Sequence, residues 1–388
     1  MEKLVTSSFR LGILGGGQLG RMLALAAANW DVSPYCLDSS EEAPARDLSR
    51  GFQQGSITSY EDVVSFARNV DLLTIETDHV NIEALAFLEE QGKTVCPSSR
   101  TLGIIQDKGL QRRFCRDRGF PVPGFELFST RQDLLNEVDS GNWTFPFMVK
   151  ARSAGYDGKG VFLAENHSDL NSLPEENLLA EEVINISREL SVIAVRNSSG
   201  QITSYPPAEL FMESGAYLVS HLISPADIAD KTARTAQEMA HSLIEALDIK
   251  GLLAIEMFLD HQDRIWINEC SPRPHNSGHN TIEGALTSQY EQHLRGIFNL
   301  PLGSSRLIMP SAMINLLGDV NSSGPPRYEG LTECLKLEGV NVHIYGKKET
   351  RPRRKMGHIT VLNPRHEELE NMVEQIKKQV KVTSWNNQ

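Results

Sequence analysis

Folding the chain about a turn at His261-Gln262-Asp263-Arg264 sets two acids against each other inside apolar strands. A turn centred between Gln262 and Asp263 pairs Asp260 with Ile265, Leu259 with Trp266, Met257 with Asn268, and Glu256 with Glu269. Directly opposed side chains on a sheet approach to about 4.5–5.5 Å at Cβ, where like charges repel. Both glutamates belong to apolar runs, Leu252–Leu259 and Ile265–Ile267 with its continuation, where an unpaired charge is costly. Such a pair needs a cation, a proton on one acid, or an arginine partner, and a register slip of one residue would dissolve it. A divalent cation meets the demand most simply, because Mg²⁺ is ordinarily held by one or two carboxylates plus substrate phosphates. Glu256 and Glu269 are therefore the expected metal ligands.

The residues that follow are dense in polar groups: Asn268-Glu269-Cys270-Ser271-Pro272-Arg273-Pro274-His275-Asn276-Ser277-Gly278-His279. Arg273 has the planar fork that grips a carboxylate or phosphate with two bonds. A single histidine here would read as a hydrogen-bonded loop residue; the crowd of polar neighbours points instead to a site.

A second glycine-shaped segment, Arg152 to Gly160, lies between strand-like runs Phe147–Lys150 and Val161–Ala164. It neither enters a helix nor reads G-x-x-x-x-G-K-[ST], so it is no Walker loop. A glycine hairpin with one lysine suits a lid over nucleotide phosphates. Lys150, just before it, offers phosphate oxygens a point charge.

The first hundred residues alternate strand and helix, which implies βαβ units and a parallel sheet. Gly15-Gly16-Gly17-Gln18-Leu19-Gly20 follows the first strand and Asp38 ends the second, a pattern that fits a dinucleotide site. A tight glycine turn, or the phosphate of a ribonucleotide, explains the same residues. Further along, Leu102–Arg118 reads as a helical segment and Ile228–Leu247 as an amphipathic helix. Ser322 to Pro326 reads as a linker, and Leu369 to Val380 as a last helix. The expected division is an α/β domain at 1–102, a central α+β domain at 103–305 whose lid lobe spans about 121–190, and a small domain at 306–388.

Charge and cysteines narrow the partners. With 38 Lys+Arg against 50 Asp+Glu the formal charge is −12, which disfavours nucleic acid and anionic membranes. The start MEKLVTSSFR lacks a long apolar core, so no signal peptide is expected. The five cysteines are scattered with no C-x-x-C pair, as befits buried thiols in a cytoplasmic protein.

Taken together, GGGQLGRM at Gly15–Met22, GYDGKG at Gly155–Gly160, INE…PRPHNSGH at Ile267–His279 and RKMGH at Arg354–His358 resemble the ATP-grasp superfamily. Within it they resemble the 5-(carboxyamino)imidazole ribonucleotide synthases. The resemblance covers nearly the whole chain. It implies a Rossmann-like amino-terminal domain, a central ATP-grasp domain that clamps ATP, a small carboxy-terminal domain, and a homodimer. The implied reaction joins bicarbonate to the amine of 5-aminoimidazole ribonucleotide through carboxyphosphate, with ATP and Mg²⁺, or Mn²⁺ in its place.

By the same resemblance Lys108 and Lys150 contact ATP phosphates. Gly155, Tyr156, Asp157, Gly158, Lys159 and Gly160 form the lid. Glu181, Glu182, Val183 and Ile184 make the adenine hinge, Glu189 meets the ribose, and Asn268 and Glu269 stand by the phosphates. Gln18, Leu19, Glu76, Arg273, Asn276, Lys347, Arg354 and Lys355 face the ribonucleotide, the last three as a basic clamp for its phosphate. Tyr156, Asp157, Lys159, Arg273 and His275 are the catalytic candidates, with Asp157 or His275 as proton acceptor. The sequence departs from the family at Asp78 and His79, where Glu and Asn are usual, at Met212, where a histidine is common, and at Arg353, where glycine is usual. The rival readings are a formate-dependent glycinamide ribonucleotide ligase of the same superfamily, a nicotinamide-dependent oxidoreductase resting on Gly15–Gly20 and Asp38, and a silent nucleotide-binding protein.

Overall fold

The computed structural model describes residues 6, 8–153, 160–213 and 215–385. The amino-terminal alternation builds a five-stranded parallel sheet in the order Gly51–Gln54, Ser33–Asp38, Arg10–Leu14, Leu72–Ile75, Thr94–Cys96. Its central strands are apolar on both faces, as a doubly covered sheet requires. Leu11 and Ile13 pack against Leu23, Tyr290, Leu294 and Phe298, while Leu14, Leu73 and Ile75 pack against Val63, Phe66 and Leu85. Tyr290 and Leu294 lie on the helix Gln289–Ile297, so this sheet is seated on the central part of the molecule. The edge strand Gly51–Gln54 has no apolar run to announce it.

The segment expected to be one helix at Leu102–Arg118 is two, Ser99–Ile105 and Lys108–Asp117. Asp107 breaks it: its backbone is extended and its side chain accepts from the N–H groups of Gly109 and Leu110. The break places Lys108 on the first turn of the second helix.

The lid lobe is a four-stranded antiparallel sheet in the order Phe125–Thr130, Glu176–Glu182, Phe147–Ala151, Val161–Ala164. The helix Arg131–Asp139 covers it over a core that includes Phe128, Leu134, Phe147, Val149 and Leu178. The lid residues Gly155, Tyr156, Asp157, Gly158 and Lys159 lie outside the described residues. Gly160 closes the loop, with a φ of 78° and a carbonyl that accepts from Ala151 N–H at 2.8 Å.

A nine-stranded sheet forms the centre. Its path runs Ile265–Ser271, Gly251–Asp260, Ile186–Arg196, Ala208–Met212, Val219–Ser224, Ser311–Leu317, Lys355–Leu362, Val340–Ile344, with Ile202–Ser204 beside Ile186–Arg196. The helix Asp230–Ala246 buries Ala236, Ala240 and Leu243 against Leu190, Val192, Leu253 and Ile255. The strands beyond Pro301 extend this same sheet, through pairing of Val219–Ser224 with Ser311–Leu317. The helix His366–Gln379 covers them, and the last strand, Lys381–Ser384, pairs with Pro326–Glu329. Among the described residues no helix is long and apolar enough to cross a membrane.

The hairpin departs from its expected register in an instructive way. Near the turn the pairs are Leu259 with Ile265, Phe258 with Trp266 and Met257 with Ile267, one residue away from the simple fold-over. A bulge at Asn268 then restores the frame, and Glu256 stands opposite Glu269. A bulge of this kind re-aims side chains. Here it turns both Asn268 and Glu269 toward one cavity, which a regular strand would forbid.

Candidate active site

The ends of the parallel strands, the lid-lobe sheet and the central hairpin converge on a cavity of about 520 Å³. Of the expected site residues, Gln18, Leu19, Glu76, Lys108, Lys150, Glu181, Glu182, Val183, Ile184, Glu189, Glu256, Asn268, Glu269, Arg273, His275, Asn276 and Lys355 line it. Lys347 and Arg354 do not, so Lys355 alone carries the basic run 347–355 into the cavity. Lys347 Nζ donates to the Lys355 carbonyl at 2.7 Å, and the Arg354 guanidinium donates to the Glu349 carbonyl at 2.7 Å. Both contacts lie within the run itself. Met212, at one of the departures from the family pattern, also lines the cavity.

Around the paired glutamates the charges are arranged in sequence. Lys108 Nζ lies 2.6 Å from Glu269 Oε1. Lys150 Nζ lies 2.7 Å from Glu181 Oε2 and donates to Asn268 Oδ1 at 3.0 Å. Withdrawal from water, then the facing Glu269 and Glu189, push the Glu256 carboxyl up to about 7. Withdrawal from water acts most strongly on Glu269 too, but Lys108, Lys150 and Arg112 together outweigh it and hold that carboxyl below its usual range. Burial pushes Lys150 below the usual lysine range against the pull of Glu181. The Glu181 side chain, expected at the adenine hinge, turns inward to a buried ion pair with Arg112. Burial raises its carboxyl, but Arg112 and Lys150 prevail and bring it to about 2.

The donor set fits a hard divalent cation. Two opposed carboxylates offer oxygen ligands, and a lysine already sits against one of them. Among the described residues no third His, Cys, Asp or Glu completes a metal cage, as expected where phosphates supply the remaining ligands.

The amino-terminal glycines serve the chain itself. Gly17 N–H donates to Glu76 Oε1 at 2.6 Å and Gly20 N–H to Glu76 Oε2 at 2.7 Å, while Gly16 N–H donates to Asp38 Oδ2 at 2.7 Å. A Cβ on Gly15 or Gly17 would meet the Glu76 side chain at 2.4 or 2.5 Å, which is why glycine stands there. The helix terminus that would hold a dinucleotide pyrophosphate is filled by the chain's own carboxylates. This removes the basis of the oxidoreductase reading.

Arg273 was expected to present an open fork. Instead its Nε and one terminal nitrogen donate to Asp78 at 3.1 and 2.8 Å, and another donates to the Pro274 carbonyl at 3.2 Å. Asp78 ends a segment of the parallel-sheet domain, so one domain holds the arginine of another. His275 Nδ1 accepts from Ser277 N–H at 3.3 Å, and Nε2 lies 3.9 Å from Glu256 Oε1. Burial, with Arg273 and Lys355 nearby, keeps the imidazole neutral, far below its ordinary range. With Nδ1 accepting, the proton sits on Nε2. In this tautomer the Nε2–H of His275 faces Glu256 across 3.9 Å.

Arg112 and the holding role of Asp78 escaped the sequence reading. Arg112 had one signal: it falls three residues from Gly109 and from Cys115, on the buried face of its helix.

Comparison with known proteins agrees with this geometry. Three family models match in chain order: a ribonucleotide synthetase preATP-grasp domain at 9–106, an ATP-grasp domain at 113–290, and a phosphoribosylaminoimidazole carboxylase C-terminal domain at 311–372. The N5-carboxyaminoimidazole ribonucleotide synthase of Aquifex aeolicus is 35% identical over 94% of this chain and 95% of its own. The crystal structure of N5-carboxyaminoimidazole ribonucleotide synthetase from Thermotoga maritima superposes with a TM-score of 0.89 at 39% identity, covering 97% of this chain and 99% of the other. An Aspergillus clavatus N5-carboxyaminoimidazole synthase, solved with ADP and 5-aminoimidazole ribonucleotide, gives a TM-score of 0.87 at 31% identity over 95% and 98%. The chain spans just under two thirds of a plant and several yeast phosphoribosylaminoimidazole carboxylases, 64% for Vigna aconitifolia and 63% for Candida glabrata.

Fold and cavity define an enzyme of the ATP-grasp ligase class. Within that class the chain belongs to the N5-carboxyaminoimidazole ribonucleotide synthase family.

Proposed function

We propose that this chain uses ATP to join bicarbonate to the amine of 5-aminoimidazole ribonucleotide, giving 5-(carboxyamino)imidazole ribonucleotide in purine biosynthesis. One observation carries the reading: a single cavity sets Glu256, Glu269, Lys108, Lys150 and Asn268 opposite Arg273, His275 and Lys355. One group suits a nucleotide triphosphate with its cation, and the other suits a second anionic substrate. The apolar lining of Met148, Val161, Ile184, Ile186, Met212 and Phe258 suits the adenine between the two lobes.

In the reaction a bicarbonate oxygen attacks the terminal phosphorus of ATP, and the bond to ADP breaks. The amine nitrogen then attacks the carboxyl carbon of carboxyphosphate, phosphate leaves, and the amine proton is lost. Lys108 and Lys150 offset the charge of the phosphates as it shifts. Arg273, held by Asp78, and Lys355 meet the ribonucleotide side, with Gln18, Leu19 and Asn276. Glu189 takes the ribose of ATP, and Glu182 to Ile184 the adenine edge. Glu256 and Glu269 would hold Mg²⁺, or Mn²⁺, which when bound supplies positive charge to the transferring phosphoryl group. Carboxyphosphate hydrolyses readily, so a closing lid bearing Tyr156, Asp157 and Lys159 protects it. Asp157 or His275 takes the amine proton. A homodimer and a cytoplasmic setting belong to the same proposal; five buried free thiols support the second.

The test is ADP release with bicarbonate or formate, with and without the ribonucleotide. Release that needs bicarbonate and is stimulated by 5-aminoimidazole ribonucleotide is expected. Dependence on formate and glycinamide ribonucleotide would move the chain to the sister ligase.

A further inference from the structure

Three strands beyond Pro301 place Asn315, His358 and His343 side by side. Asn315 stands opposite His358, and His358 opposite His343, in register across the sheet. Each meets one residue of the segment that leaves the hairpin. Asn315 and Asn276 exchange two amide hydrogen bonds, at 2.8 and 3.0 Å. The rings of His358 and His279 stack with centroids 4.6 Å apart. His343 Nε2 lies 2.6 Å from Glu283 Oε1.

The spacing explains the match. Asn276, His279 and Glu283 follow one another at three and four residues, through the short turns Asn276–Gly278 and Thr281–Gly284, so they share one helical face. A stripe of helical period thus lies across a row of adjacent strands, one residue per strand. The row is braced on its own side: His343 and His358 stack at 4.4 Å, Tyr345 hydroxyl bonds His358 Nδ1 at 3.0 Å, and Asn315 donates to the Val219 carbonyl at 2.9 Å. Burial holds the His279 and His358 imidazoles neutral, so the stack carries no repulsion.

We propose that Asn315, His358 and His343 are positioning residues for the ribonucleotide side of the cavity. They fix the segment that carries Arg273, His275 and Asn276, and strand Lys355–Leu362 brings Lys355 to the same place. The carboxy-terminal strands thereby set the distance between the two walls of that subsite, while the ATP side rests on the hairpin and the lid lobe. The identity of the ligand rests on the function proposed above; the mechanical role does not.

The experiment compares His343→Ala, His343→Gln and Asn315→Asp in the full-length enzyme. Glutamine keeps a donor for Glu283, and aspartate keeps the shape of Asn315 while losing its donors. Loss of the contact is expected to raise KM for the ribonucleotide about tenfold in His343→Ala and Asn315→Asp, with KM for ATP within about twofold, and His343→Gln recovers most of the loss. In hydrogen exchange, the Ser277 and Gly278 amides should open about tenfold faster in the two impaired variants, with the strand Glu176–Glu182 unchanged. Equal changes in both KM values, or unaltered exchange at Ser277 and Gly278, would overturn the proposal. If the unmodified enzyme shows no ribonucleotide-dependent turnover, the functional reading fails and the exchange rates alone decide the positioning role.

Discussion

Two regions of this molecule look like ligand sites in sequence, and their charged groups are used differently in structure. The glycine run Gly15–Gly20 matches a familiar phosphate-binding pattern, yet Glu76 and Asp38 accept from the N–H groups of Gly16, Gly17 and Gly20. The hairpin is marked by two opposed glutamates, and it gathers lysines, an asparagine and an arginine loop around a cavity. Glycines report that something comes close to the backbone, without reporting what. Two like charges forced together in an apolar hairpin report a demand for a cation, which few arrangements other than a site can meet.

The sharpest break between the regions is a charge removal at the hairpin. Glu269→Gln is expected to lower kcat by about a thousandfold. The melting temperature should fall by a few degrees at neutral pH, because Lys108 holds the Glu269 carboxylate in its ionised form and the amide gives up that pairing. A loss of tenfold or less would mean the pair is structural.

A smaller effect tests how the first region supports the second. Asp78→Asn and Arg273→Lys should each lower kcat/KM for the ribonucleotide by about 50-fold, and the double variant should be little worse than Arg273→Lys, a coupling of about 2 kcal/mol. Additive losses would show that Asp78 acts on substrate without Arg273.

Glu76→Gln should lower stability by about 1–2 kcal/mol, since an amide has one accepting oxygen where the carboxylate accepts from Gly17 and Gly20 with two. Nicotinamide dinucleotides should give no thermal protection to either form; protection would reopen the oxidoreductase reading. The smallest effect belongs to Arg353, whose φ of 60° is left-handed. Arg353→Gly should stabilise by up to about 1 kcal/mol in denaturant titration, and a loss of stability would mean its side chain matters more than its backbone.

Local pattern revealed the alternating amino-terminal layer and the hairpin, because burial on both faces and a charged pair leave marks within a few residues. The pairing of Glu256 with Glu269 was legible, but the register between it and the turn was not. The bulge at Asn268 depends on how the strand twists against its partner. Asp107 split a helix that periodicity alone had joined. The strand Gly51–Gln54 lacks an apolar run, and the joining of the strands beyond Pro301 to the central sheet is a long-range event. So is the capture of Arg273 by Asp78, 195 residues away in the chain. Such partners are chosen by the fold, and a sequence lists only the candidates. The basic run is a related case: charge density at 347–355 was visible, but its hydrogen bonds to its own carbonyls were not.

Heavy-oxygen bicarbonate gives the most direct check on the paired-glutamate cavity as the place where bicarbonate is phosphorylated. With ATP and 5-aminoimidazole ribonucleotide, one labelled oxygen should pass into the released phosphate, and Glu269→Gln should slow the transfer about a thousandfold. Phosphate released without label during ribonucleotide-dependent turnover would contradict the account.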